Sequence, residues 1–148
     1  MSAGRICTRE VDFADPNESA WKAAERMHQR SVGALVILNE STEPTGILTD
    51  RDLIVRVMAK GLDPNRTTIA DVMTMEPKTI SEDASIESAM FLMRRGGFRR
   101  LPVVDANGKL VGLLSLDDVL MLLAEEFSQI GQLLERETPQ GVATESVA

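Results

Sequence analysis

Gly46-Ile47-Leu48-Thr49-Asp50-Arg51-Asp52-Leu53 and Gly112-Leu113-Leu114-Ser115-Leu116-Asp117-Asp118-Val119 are two copies of one phrase. Each runs glycine, two apolar residues, a hydroxyl residue, two variable positions, aspartate and another apolar residue. Such a phrase reads as a strand entering a helix, because Thr or Ser caps a helix N-terminus and an acid in the first turn complements the helix dipole. An offset of 66 residues carries Gly46 onto Gly112, and without gaps it carries Ser19–Met58 onto Ser85–Ala124. Seven identities result: Ser19/Ser85, Ala23/Ala89, Met27/Met93, Leu35/Leu101, Gly46/Gly112, Leu48/Leu114 and Asp52/Asp118. Chance at ordinary composition gives about three. Class matches add to them: Ile37-Leu38 falls on Val103-Val104, Val32 on Phe98, Ala20 on Ile86, and Leu53-Ile54 on Val119-Leu120. The chain is an internal duplication.

Each copy reads in the same order. A helix comes first, over about 16–30 and 82–95, with Asp15 and Ser81 as N-caps, Pro16 at the first helical position and Glu18 completing a capping box. A strand follows (34–38; 101–104), then a polar turn (39–45; 105–108), a second strand (46–48; 110–114) and a second helix (50–58; 116 onward). The expected layout is repeat 1 over 5–60, a linker over 61–70, repeat 2 over 71–124, a helical extension over 125–137 and a disordered tail over 138–148. The linker holds the Gly61–Asn65 hinge, after which comes a short apolar helical piece, Ile69–Met73. Strands this short, with one helix before and one after, cannot bury both faces alone. The expected fold is therefore α/β (α+β), with two tandem βαββα-like units packed about a pseudo-twofold axis. Clefts between packed units are where small ligands usually sit.

Composition narrows the function. The 148 residues carry a net charge of −7 and no basic stripe, which argues against nucleic acid. An anionic ligand would need a local positive cluster. Cys7 and His28 are the only residues of their types, so no intramolecular disulfide, Cys/His zinc site or nucleophile–His pair can be assembled. An enzyme is not expected. No stretch approaches eighteen apolar residues, so no membrane partner is expected and a reducing, cytoplasmic setting is the default.

The doubled phrase strongly resembles the signature of CBS domains, two of which form a Bateman module. The segments Asp71–Ile80 and Arg99–Asp105 are similar to the same family, and the resemblance covers about 5–124. It implies that Asp52 and Asp118 hold ribose hydroxyls and that Thr49 and Ser115 supply hydroxyls to the ligand. The spacing is chemically apt. Hydroxyl and carboxylate share one face of the first helical turn, whose free N–H groups favour an anion. The competing reading is purely structural, since the same residues are good helix caps.

Arg99 and Arg100, at a strand start before Leu101-Pro102, are implied to face phosphate. Arg51 is a further phosphate candidate, with a solvated helix face as its alternative, while Arg94 and Arg95 suit a helix C-terminus. Thr79, Ile80 and Pro102 complete the candidate ligand-binding set. The Thr49/Asp52 site is expected to be the tighter, because Asp117 stands where the first copy has Arg51. The implied ligand is an adenosine-type nucleotide (AMP, ADP or ATP, with S-adenosylmethionine and NAD(H) as further options), and no cofactor is required. The implied assembly is a homodimer signalling to an unidentified target protein. The alternative is a dimeric scaffold with vestigial sites.

Other conspicuous residues have plain readings. His28 belongs on a helix surface, the methionines fill the core, Trp21 matches the polar position Glu87, and Cys7 lies in an N-terminal arm without a redox role. Beyond the repeat, Ala124, Phe127, Ile130, Leu133 and Leu134 keep helical spacing with no counterpart in copy one. They are expected to seal the module or a dimer contact.

Overall fold

In chain order the elements are α1 (Ala3–Ile6), α2 (Ala20–Arg30), β1 (Ala34–Leu38), β2 (Pro44–Thr49), α3 (Asp50–Leu53), α4 (Ile69–Val72), β3 (Thr74–Met75), β4 (Ile80–Ser81), α5 (Ile86–Gly96), β5 (Arg100–Val104), β6 (Leu110–Ser115) and α6 (Leu116–Glu137). This computed structural model describes residues 1–137, and the tail expected over 138–148 lies outside the described residues.

Apolar strands joined by polar turns fold back as hairpins, and the two hairpins are the same object. Leu35 faces Leu48 and Ile37 faces Gly46 in β1–β2; Leu101 faces Leu114 and Val103 faces Gly112 in β5–β6. Even the irregularity recurs, between Ile37 and Leu38 and between Val103 and Val104. The sheets have strand orders β1-β2-β3 and β4-β5-β6. The mixed α/β duplication is thus as expected.

Each sheet is completed by chain that precedes the other copy. Thr8, following α1, bridges Leu113 of β6, and 66 residues later Thr74 of β3 pairs with Ile47 of β2. The same exchange joins Ser2 to Ser85 and Ser19 to Thr68. In this reciprocal pattern residue i meets j + 66 and residue i + 66 meets j, which defines a pseudo-twofold relation. The exchange reaches into the cores. Ile69 and Val72 of α4 are buried with Ala23, Met27, Leu35, Ile37 and Leu48, while Ala3 and Cys7 are buried with Ala89, Met93, Leu101, Val103 and Leu114.

The exchange also explains where the long helices begin. Expected at about residues 16 and 82, they start at Ala20 and Ile86, with Ser19 and Ser85 as N-caps. The carbonyls of Pro16 and Glu18 accept from the N–H groups of Ala70 and Ile69 at 2.9 Å, and those of Glu82 and Ala84 accept from Gly4 and Ala3 at 2.9 and 2.8 Å. Backbone committed to another segment cannot also join a helix. Asp15 therefore caps a turn, accepting from Asn17 N–H at 2.8 Å, while Glu18 accepts from Asp15 N–H at 2.8 Å.

Two further expectations are corrected. Met27 and Met93 are core residues, but Met58, Met75, Met90 and Met121 are exposed at 75%, 68%, 40% and 63%. The stripe on α6 does not seal the module, since Phe127 is 70% and Ile130 51% exposed. Past α3, Ile54–Met58 forms a π-helical turn, closed by Ala59 N–H on the Ile54 carbonyl at 2.7 Å.

Candidate functional site

The hydroxyl–carboxylate pairs sit where a strand ends and a helix begins. Thr49 Oγ1 accepts from Asp52 N–H at 3.2 Å while Asp52 Oδ2 accepts from Thr49 N–H at 2.9 Å, closing a capping box at the start of α3. Ser115 and Asp118 repeat it at the start of α6, at 3.1 and 2.8 Å. The structural role considered for these residues is therefore realised in both copies. It uses one oxygen of each carboxylate. The other, Oδ1, keeps its acceptor capacity.

The segments beside the two acids differ. Arg56, one turn after Asp52, places Nε 3.8 Å from Asp52 Oδ1 and donates from Nη1 to the Val72 carbonyl at 2.9 Å and from Nη2 to Thr74 Oγ1 at 3.4 Å. It ties the first acid to the segment leading into repeat 2. Leu122 holds the matching position in the second copy and donates nothing. In the second copy the N-terminal arm brings Cys7 within electrostatic reach of both Asp118 and Arg9. Burial pushes the Cys7 thiol up, Asp118 adds to the rise and Arg9 opposes it, so the thiol is held protonated.

Both signature glycines have a packing reason. A β-carbon on Gly46 would lie 2.5 Å from Met73 Sδ; one on Gly112 would lie 2.7 Å from Cys7 Sγ and 2.6 Å from the Thr8 carbonyl oxygen. Met73 and Cys7 are themselves 66 residues apart, so each crossing segment rides over the glycine of the copy it completes.

The structure distributes the remaining candidates. Arg100, at the start of β5, lies across the pseudo-axis against the first copy. Its Nη2 is 2.8 Å, and Asp50 Oδ2 3.0 Å, from where a Gly33 β-carbon would be. Gly33 is thus the room the other repeat's arginine occupies. Arg99 turns away to Asp117 at 3.7 Å, with both side chains well exposed. Arg51 is exposed on the first turn of α3. Pro102 is buried in the middle of β5 opposite Leu113, Ile80 is buried in the second core, and Thr79 is exposed beside it.

Sequence reasoning missed Arg56, whose four-residue spacing from Asp52 was the available signal. It also missed the pairing of Cys7 with Met73, which appears once the 66-residue offset is carried back to the N-terminus. A surface cavity of about 530 Å³ lies between α2 and the α3 region, with Asp50 in its lining, and another of about 460 Å³ lies along α5. Among the described residues, no helix is long and apolar enough to cross a membrane and no three His, Cys, Asp or Glu side chains are placed to hold a metal ion.

Two hairpin-centred units, cross-completed about a pseudo-twofold and each opening a helix with a hydroxyl–carboxylate cap, define a tandem-repeat α/β module. The chain matches the CBS domain model twice, over residues 3–59 and 69–125. It belongs to the CBS domain family, as a pair of such domains. Uncharacterized protein MK0525 of Methanopyrus kandleri is 38% identical over 122 residues; the match takes in 82% of this chain but only 62% of that relative's length. Two solved structures have the same fold. CBSX2 in complex with AMP is 26% identical with a TM-score of 0.72, covering 84% of this chain and 96% of that one. The CBS domain pair of protein MJ0100, in complex with 5-methylthioadenosine and S-adenosyl-L-methionine, is 25% identical with a TM-score of 0.75, covering 85% and 98%.

Proposed function

We propose that this protein is a regulatory module that binds an adenosine-type ligand in the clefts between its two repeats and reports it to a partner protein by a change in shape. AMP, ADP or ATP are the first choices and S-adenosylmethionine or NAD(H) the alternatives. The module acts as a cytoplasmic homodimer without catalysis of its own. The observation that carries the reading is the doubled capping box. In each copy one carboxylate oxygen fixes the side chain against the backbone while the other is left to accept from a vicinal diol, beside the first turn of a helix. The adenosine compounds bound by CBSX2 and the MJ0100 domain pair support the ligand class.

Of the two sites, the one at Thr49 and Asp52 is the tighter. Arg100 brings positive charge to Gly33 and Asp50 at that end, with Arg51 on the same helical turn, whereas Arg99 is engaged by Asp117. Thr79, Ile80 and Pro102 belong to the same proposed ligand-binding set, with Thr79 alone of the three exposed. A signal requires that the ligand favour one arrangement of the repeats over another. Arg56, joining Asp52 to Val72 and Thr74, is the contact a ligand on Asp52 would disturb.

The test is calorimetric titration of AMP, ATP, NADH and S-adenosylmethionine into folded, nucleotide-free protein. Asp52→Ala should lower affinity for the binding compound about tenfold to a hundredfold, as expected for loss of hydrogen bonds to a charged group. Asp118→Ala should lower it less. Absence of heat with all four compounds would leave a scaffold rather than a sensor.

A further inference from the structure

Gly33 stands between two opposite charges that come from different repeats. Arg100 Nη2, from β5, and Asp50 Oδ2, from the start of α3, lie 2.8 and 3.0 Å from the point a Gly33 β-carbon would occupy. Among the described residues, no hydrogen bond or ion pair joins the two or engages either atom. The other carboxylate oxygen, Asp50 Oδ1, accepts from Arg51 N–H at 2.9 Å, and Asp50 N–H donates to the Gly33 carbonyl at 3.0 Å. The acid is thus set by nearby backbone, not by the arginine. Arg100 is half-buried and Asp50 exposed, so both charges can be reached from solvent.

The second repeat has no such gap. The 66-residue offset puts Arg99 at the position of Gly33, Leu116 at that of Asp50 and Ala34 at that of Arg100. Ala34 is buried, Leu116 packs against the second core, and Arg99 is turned to Asp117. The charged gap therefore belongs to one end of the molecule, and its acid directly follows Thr49 in the first signature.

A gap with a cation on one wall and an anion on the other suits a group that carries both charges on one carbon. An α-amino acid does so: its carboxylate accepts from a guanidinium, and its ammonium donates to a carboxylate. A phosphate satisfies only the arginine and sets its own charge against Asp50. We infer that Asp50 and Arg100 read the 5′ substituent of the ligand, so that the Thr49/Asp52 site takes an adenosine bearing an α-amino acid, the S-adenosylmethionine type, in preference to a nucleoside phosphate. This rests on the adenosine reading above and reverses the order of its ligands at this one site. Gly33 is a positioning residue, because any side chain there would fill the gap between the two charges.

The experiment is calorimetric titration of the full, nucleotide-free chain with S-adenosylhomocysteine, 5′-methylthioadenosine and AMP, read at the binding step that Asp52→Ala removes. The first two probes are adenosine thioethers that differ only in what the sulfur carries, an amino acid or a methyl group. Wild type should bind S-adenosylhomocysteine about tenfold or more tightly than either of the others, as expected for added hydrogen bonds to charged groups. Asp50→Asn keeps the acceptor for Arg51 N–H. It should weaken S-adenosylhomocysteine about tenfold, leave 5′-methylthioadenosine unchanged and strengthen AMP, whose phosphate no longer meets a like charge. Gly33→Ala should weaken S-adenosylhomocysteine and leave 5′-methylthioadenosine unchanged, whereas damage to the fold would weaken all three probes together. Tighter binding of AMP than of S-adenosylhomocysteine by wild type, or a preference over 5′-methylthioadenosine that Asp50→Asn leaves intact, would overturn this inference while the adenosine reading stands. Binding of none of the three by folded protein would overturn both.

Discussion

The first and second halves share a backbone and differ in how they fasten it. In the first, Glu18 and Arg26 close the turn before α2 with a paired hydrogen bond at 2.6 and 2.9 Å. In the second, Ala84 and Leu92 stand at those positions and pack against the core. Likewise Arg56 ties α3 to the crossing segment, where the second half has Leu122. Polar clips and apolar packing are thus interchangeable at matched sites, which fits the small net advantage of ion pairs near a surface. What is not interchanged is the hydroxyl–carboxylate cap, the glycine before it and the leucine pair behind it.

The shared frame should show the largest and most equal effects. Leu48→Ala and Leu114→Ala each empty a fully buried site in equivalent cores, and each should cost about 2–5 kcal/mol in chemical denaturation. A much smaller cost at one of them would break the equivalence of the halves. The signature glycines should then separate them. Gly112→Ala drives a methyl into the Thr8 carbonyl, which is backbone, and should cost about 1–3 kcal/mol. Gly46→Ala meets the end of the Met73 side chain, which can turn aside, so its cost should stay below about 1 kcal/mol.

Arg56→Leu would give the first half the residue of the second. It should cost about 0.5–1.5 kcal/mol through the lost bond to Val72 and speed amide exchange in β3 without changing β6. The smallest effect is the most selective. Arg26 holds the Glu18 carboxyl below its ordinary range through their hydrogen bond. A depressed carboxylate stabilises the fold above its unfolded pKa and loses that contribution as the pH falls through the folded value. The melting-temperature gap between wild type and Glu18→Gln should therefore be constant near neutral pH, worth less than about 1 kcal/mol, and should close below about pH 4.3. No such closing is expected from changes at Ala84 or Leu92.

Much of this was legible in the residues. The strand Ala34–Leu38 has the bounds its apolar run predicts, and the identities Leu35/Leu101 and Leu48/Leu114 mark pairs that face each other across the two hairpins. Thr49 with Asp52, and Ser115 with Asp118, were legible as joint units because a capping box is local, closed within four residues. Arg100 beside Gly33 was not, because nothing in either residue's neighbourhood specifies a contact with a position so far away in the chain.

By itself, then, the sequence determined the duplication, its offset, the hairpins and the capped helix starts, since each is written in side-chain period or in contacts a few residues apart. Only the tertiary structure decided that the chain before each copy completes the other copy's sheet, and that Ser19 and Ser85, rather than Asp15 and Ser81, begin the long helices. Those choices are made by backbone N–H and carbonyl groups. They are the same in every residue type but proline, so they leave no trace in the sequence until the partner segment arrives.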